Sequence, residues 1–150
     1  MDSALPVIQL QPGSGILGLS FGATRDAVHK FFGVPQMSDR SPIGCQADLW
    51  LGVAAYFTCD DRLQALELSP PCACALDGTT ISALDFDDAV AFLTERDQQT
   101  LSSPEATHFG YLSLTVFRTG GEFPHGVKLV LDDGGGDWWW ETVATLISDP

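Results

Sequence analysis

Residues 24–33 carry start and stop signals for a short helix, and they constrain everything around them. Thr24 stands where an N-cap hydroxyl accepts an unpaired backbone N–H of the first turn. Asp26 falls near the positive end of the helix dipole and Lys30 near the negative end. Val28, Phe31 and Phe32 are spaced i, i+3 and i+4, which places them on one face. Gly33 suits the position after the last turn, and Pro35 forbids continuation. A helix this short does not persist alone in water. It demands a surface to lie on, and the rest of the chain has to supply it.

The signal returns. Asp26-Ala27-Val28 recurs 62 residues later as Asp88-Ala89-Val90. Around the second copy, Phe86, Ala89, Val90 and Leu93 keep helical spacing, Asp85 stands at the N-cap, and Arg96 lies near the end. Between the two, Leu49–Phe57 is too apolar for a surface element, lacks a helix cap and holds aromatics and valine. It reads as one buried strand. In that strand Trp50 and Tyr56 share a face opposite Leu51, Val53 and Phe57. Cys59-Asp60-Asp61-Arg62 reads as a turn and Leu63–Leu68 as the returning hairpin arm. The same offset carries these strands onto 111–119 and 125–130, where Tyr111–Phe117 and Val127, Leu129 and Leu131 alternate.

These readings predict one domain over 1–150, with pseudo-repeats at about 18–68 and 80–147. The fold class is α+β: an antiparallel sheet built from two tandem helix-then-hairpin units, helices on one face. The other face is left to solvent or to a partner. Residues 1–17 read as a lead-in with a short edge strand at Val7–Leu10. Residues 33–47, 69–84 and 97–109 read as loops, and Asp132-Asp133-Gly134-Gly135-Gly136-Asp137 as an acidic, flexible loop. Trp138–Ile147 reads as a closing strand, with a helix capped by Asp137 as the alternative.

Charge narrows the function classes. Twenty acids against seven bases give a net charge of −13. Residues 1–75 hold seven acids and four bases, whereas residues 76–150 hold thirteen and three. Such a field repels nucleic acid and attracts basic partners. Asp outnumbers Glu fifteen to five, which places much of the charge in turns and caps. No apolar run approaches the roughly 18 residues of a membrane span. The N-terminus shows no basic segment followed by an apolar run, so the protein is expected to be cytoplasmic.

Catalytic constellations are thin. Cys72-Ala73-Cys74 has one residue between its thiols, against roughly two to four in zinc-type pairs. Together with Cys45 and Cys59, these cysteines read as reduced. His29, His108 and His125 lack the short spacing of metal ligands, and Ser69 and Ser113 lack a nucleophile elbow. The glycines at 13, 15, 18 and 22 are not followed by the Lys-Ser/Thr of a phosphate loop. No catalytic residue, metal or cofactor is expected.

Binding chemistry is richer. In a strand at Trp138-Trp139-Trp140, alternate indoles face opposite sides, so at least one faces away from the core. Exposed aromatics flanked by acids suit a hot spot for a basic partner. The expected contact surface is Asp132, Asp133, Asp137, Trp138, Trp139 and Trp140, followed by Asp60 and Asp61.

Several motifs carry a resemblance. Gly15-Ile16-Leu17-Gly18-Leu19-Ser20, Asp26-Ala27-Val28 and Phe32-Gly33-Val34-Pro35 resemble the opening of small bacterial immunity proteins encoded beside polymorphic toxins. Tyr56-Phe57, Asp60-Asp61-Arg62-Leu63 and Leu66-Glu67-Leu68 resemble their hairpin, with Arg62 where a turn glycine is usual. Gly110–Leu114 with Phe117-Arg118 is similar to their late strand, with Phe117 in a tryptophan's place, and Trp140-Glu141-Thr142-Val143 is similar to their end. The tandem arrangement is also similar to that of β-lactamase inhibitor proteins and barrel-assembly lipoproteins. The resemblance implies a cytoplasmic immunity protein, not an enzyme, that occludes the active site of a cognate toxin. The acid excess makes that toxin a basic, nucleic-acid-acting protein. The alternative is a non-enzymatic interaction or scaffold domain without a toxin partner.

Overall fold

The computed structural model describes residues 7–40, 46–58, 60–70, 72–104, 106–118 and 127–132. It is an α+β fold, mostly sheet. The N-terminal strands β1 (Ile8–Gln11), β2 (Gly15–Ile16) and β3 (Leu19–Ser20) precede helix α1 (Arg25–Phe32). Four strands follow: β4 (Met37–Arg40), β5 (Gln46–Trp50), β6 (Val53–Phe57) and β7 (Leu63–Leu68). Then come β8 (Cys74–Leu76), β9 (Thr79–Thr80), a 3-10 turn at Ile81–Ala83 and helix α2 (Phe86–Thr94). Four more strands close the described chain: β10 (Thr100–Ser102), β11 (Ala106–Phe109), β12 (Leu114–Arg118) and β13 (Val127–Asp132).

The strands form two sheets. A small one has the order β3-β2-β1-β8-β9, with β1 and β8 parallel. The large one has the order β10-β11-β12-β13-β7-β6-β5-β4 and is antiparallel at every pairing. The four strands after α1 lie on one side of the β7–β13 seam and the four after α2 on the other. A two-residue turn at Leu51-Gly52 splits the segment expected as a single strand. Gly52 has φ 79°, and a Cβ there would come within 2.7 Å of the Ser69 carbonyl oxygen, so only glycine fits this turn. The turn also resets the alternation: Trp50 pairs with Val53 and shares its face, while Tyr56 points to the other. The loops expected at 33–47, 69–84 and 97–109 contain β4, β8–β9 and β10–β11, which are too short to show a clear period.

The helix ends follow the expected chemistry. Thr24 Oγ1 accepts the Ala27 N–H at 3.2 Å, and the Gly33 N–H closes the last turn on the His29 carbonyl at 2.7 Å. Asp85 occupies the N-cap of α2, but its side chain makes no capping bond. The core gathers Val28 of α1 and Ala89 and Leu93 of α2 with alternate strand residues. These are Val53, Ala55, Phe57, Leu66, Leu68, Leu114, Val116, Leu129 and Leu131, all buried. Among the described residues no helix is long and apolar enough to cross a membrane.

Candidate protein-binding face

The strand residues that alternate with the core set form a second face. Register places one row across all eight strands: Met37, Leu49, Ala54, Glu67, Val130, Thr115, His108 and Leu101. Small residues in the row are interrupted by Glu67, between Ala54 and Val130. Ala54, Val130 and Thr115 are small and buried, and the neighbouring rows add Ala47, Ala65 and Ala106. The two ends carry larger apolar groups, with Met37 58% and Leu101 51% exposed.

Polar and aromatic groups converge near the seam. The Tyr56 hydroxyl donates to Glu67 Oε1 at 3.3 Å, and Lys128 Nζ lies 3.6 Å from Glu67 Oε2. The Lys128 ammonium also sits over the Phe117 ring, 5.4 Å from its centroid. Burial, then the charge and hydrogen bond of Glu67, push the Tyr56 phenol above its ordinary range, so it remains a neutral donor. His108 Nδ1 lies 2.8 Å from Thr115 Oγ1, and burial pulls its pKa down despite the opposing charge of Asp97. Fixed donors, acceptors and ring faces on a sheet suit recognition of another surface. Tyr56, like Trp50, stands out in the sequence as a strand aromatic, whereas Glu67, Phe117 and Lys128 are not among the expected contacts. Their signal was there: a charged residue in the middle of each of two apolar strands, Leu63–Leu68 and Val127–Leu131.

A second cluster ties α1 to β5. Asp48 is fully buried. Arg25 donates to it twice, Nε to Oδ2 at 3.0 Å and Nη2 to Oδ1 at 2.8 Å. Ser38 Oγ donates to Oδ1 at 2.6 Å, and His29 Nε2 lies 2.6 Å from Oδ2. Burial disfavours the charge on Asp48, but the hydrogen bonds from Arg25, Ser38 and His29 outweigh it and hold the carboxyl well below its ordinary range. Arg25 and His29 are i, i+4 on α1, so one helix face delivers both. Serine and histidine here both engage the carboxylate, which is not the arrangement of a nucleophile and its base. The cluster is a clamp. Asp97, also buried, acts on backbone instead, accepting the N–H groups of Gln99 and Leu112 at 2.8 Å each.

Of the expected contact residues, Asp60, Asp61 and Asp132 lie among the described residues. Asp60 and Asp61 are exposed in the β6–β7 turn, and Asp61 accepts from Arg25 Nη1 at 3.1 Å. Asp132 is not in a loop: it ends β13 opposite Ala65 and is 7% exposed, on the same face as Tyr56. Asp133, Asp137, Trp138, Trp139 and Trp140 lie outside the described residues, as do Cys45, Cys59 and His125. Cys72 and Cys74 are free thiols, and burial pushes them up to about 11 and about 12. Among the described residues no group of three or more His, Cys, Asp or Glu is placed to hold a metal ion. No family model, curated protein or solved structure matches this chain.

Proposed function

We propose that this chain is a non-enzymatic protein inhibitor of the immunity type, and that the face running from Met37 to Leu101 is its contact surface. The observation that carries the reading is that face itself. It has exposed apolar ends at Met37 and Leu101 and a polar centre at Tyr56, Glu67 and Lys128. Its partner is a cognate toxin, basic and acting on nucleic acid, whose active site is covered in the complex. The charge of −13 supports a basic partner by steering and mimics the polyanion the toxin would otherwise bind. Asp132 joins the contact from the end of β13, and Asp133, Asp137 and the tryptophans Trp138–Trp140 extend it.

The finer architecture belongs to the same proposal. Residues 18–68 and 80–147 are two tandem units, each a helix followed by strands, with both helices over one face. The 62-residue offset and the mirror order of strands about the β7–β13 seam support this. So does the shared core of Val28, Ala89 and Leu93 with inward strand residues.

The test is calorimetric titration with the product of the adjacent gene at low and high salt. The expected result is a one-to-one complex that weakens as salt rises. No complex removes the proposal, and an affinity indifferent to salt and to Asp132→Asn with Asp133→Asn removes the polyanion-mimic part.

A further inference from the structure

The polar centre of the sheet face is occupied by one of the chain's own cations. Among the described residues, Lys128 is the one lysine or arginine that strand register places on this face. Two groups hold its ammonium, and both attract positive charge. Glu67 Oε2 lies 3.6 Å away, and the centroid of the Phe117 ring lies 5.4 Å away. The other oxygen of that carboxylate, Oε1, accepts from the Tyr56 hydroxyl at 3.3 Å, which fixes the carboxylate's orientation.

Lys128 holds this place loosely. Its contact with Glu67 is longer than a hydrogen bond, and its contact with Phe117 is near the outer limit of a cation–π pair. The two charged side chains keep 37% and 28% of their surface exposed. On the helix side of the sheet the ion pairs are tighter: Arg25 reaches Asp48 at 2.8 Å and Arg96 reaches Asp77 at 2.9 Å. A long, solvated lysine–glutamate pair contributes little to stability. The strand therefore does not depend on it, and the ammonium is free to leave.

The chemistry of the site names what takes its place. An anionic group of a partner would meet the Glu67 carboxylate and the negative face of the Phe117 ring. An apolar group would desolvate the carboxylate and leave it without a counter-charge. A cation meets neither cost. A guanidinium suits the site better than an ammonium, because it is more weakly hydrated, stacks on a ring face and donates from a planar fork. We propose that Glu67 and Phe117 receive an arginine side chain of the partner protein, and that Lys128 fills the site in the free chain and swings into solvent when the arginine enters. That the partner is a toxin rests on the reading above; the arginine site is tested without it. Lys128 is then a competitor, so removing it strengthens binding.

The first test is an amide-resolved NMR titration of the full chain with N-acetyl-arginine amide, and with N-acetyl-citrulline amide as its uncharged isostere. The expected result is saturable shifts at Glu67, Phe117 and Lys128 with the arginine compound and none with citrulline. Lys128→Met should lower the half-saturating concentration at least about threefold, and Glu67→Gln should abolish saturation, with both variants folded by circular dichroism. Absence of saturable shifts, equal shifts with citrulline, or no gain from Lys128→Met overturns the proposal. The second test is calorimetric titration with the adjacent gene's product, where Lys128→Met should bind at least about threefold tighter and Glu67→Gln at least about 30-fold weaker than wild type. A wild-type complex that Lys128→Met weakens or leaves unchanged overturns the arginine site and leaves the inhibitor reading standing. Arginine-specific shifts without any wild-type complex uphold the site and remove that reading.

Discussion

The two halves of the large sheet hold their helices by different means. On the α1 side the helix contributes Val28 as its fully buried side chain and is fixed by ions, with Arg25 and His29 reaching down to Asp48. On the α2 side the helix buries Ala89 and Leu93, its ion pair to the sheet is the exposed Asp87–Arg118 contact at 3.7 Å, and the buried carboxylate of that half, Asp97, serves backbone N–H groups. The difference follows from composition: Arg25-Asp26-Ala27-Val28-His29-Lys30-Phe31-Phe32 is half polar, whereas Phe86–Thr94 is two-thirds apolar. Similar element order therefore does not imply similar energetics. An ionic clamp is directional and fails sharply when one partner is removed, while apolar packing fails in proportion to the volume lost.

The sharpest way to break the comparison is Asp48→Ala. It leaves Arg25 without its main partner, and the cost should be about 3–5 kcal/mol, read by urea or thermal unfolding. A loss below about 1 kcal/mol would show that the clamp does not hold α1. The same carboxylate sets the acid limit. Its native pKa is depressed, so the native state binds fewer protons than the unfolded one. Its contribution is complete above the ordinary value of 3.8 and is lost as pH falls below it. Asp48→Asn should flatten the stability profile in that window. Leu93→Ala probes the other half and should cost about 3 kcal/mol, without any change in the acid profile. The helix caps give the smallest contrast. Thr24→Ala should cost about 1 kcal/mol, because its hydroxyl holds the Ala27 N–H. Asp85→Ala should change stability by less than about 0.5 kcal/mol, because that side chain caps nothing.

Local signals were readable in the sequence where one residue type has one dominant use. Thr24, Gly33 and Pro35 bracket α1, and the period of Phe86, Ala89, Val90 and Leu93 marks α2. The Leu51-Gly52 turn was not readable, because an aliphatic tip inside an apolar run hides it. Missing it reversed the facing of Trp50 relative to Tyr56. The alternation of Tyr111–Phe117 predicts a strand from Tyr111, but Tyr111 is 77% exposed in the turn before β12. The acids and glycines of Asp132–Asp137 predict a loop, yet strand pairing with Ala65 reaches Asp132. Partnership between residues far apart in sequence was the least legible. Nothing local to Asp48 shows that Arg25, His29 and Ser38 converge on it, and nothing local to Glu67 shows that Tyr56 and Lys128 flank it. Such sites are created by register, which is fixed only once the whole sheet is assembled.

The proposed contact is the sheet face from Met37 to Leu101 rather than the acidic β6–β7 turn. The direct measurement is calorimetric titration of the adjacent gene's product with the Tyr56→Ala/Phe117→Ala double variant and with the Asp60→Asn/Asp61→Asn double variant. The account predicts at least about a 100-fold loss of affinity for the first and less than about tenfold for the second, with both variants folded. Undiminished binding by the first pair, or the reverse order of effects, would contradict it.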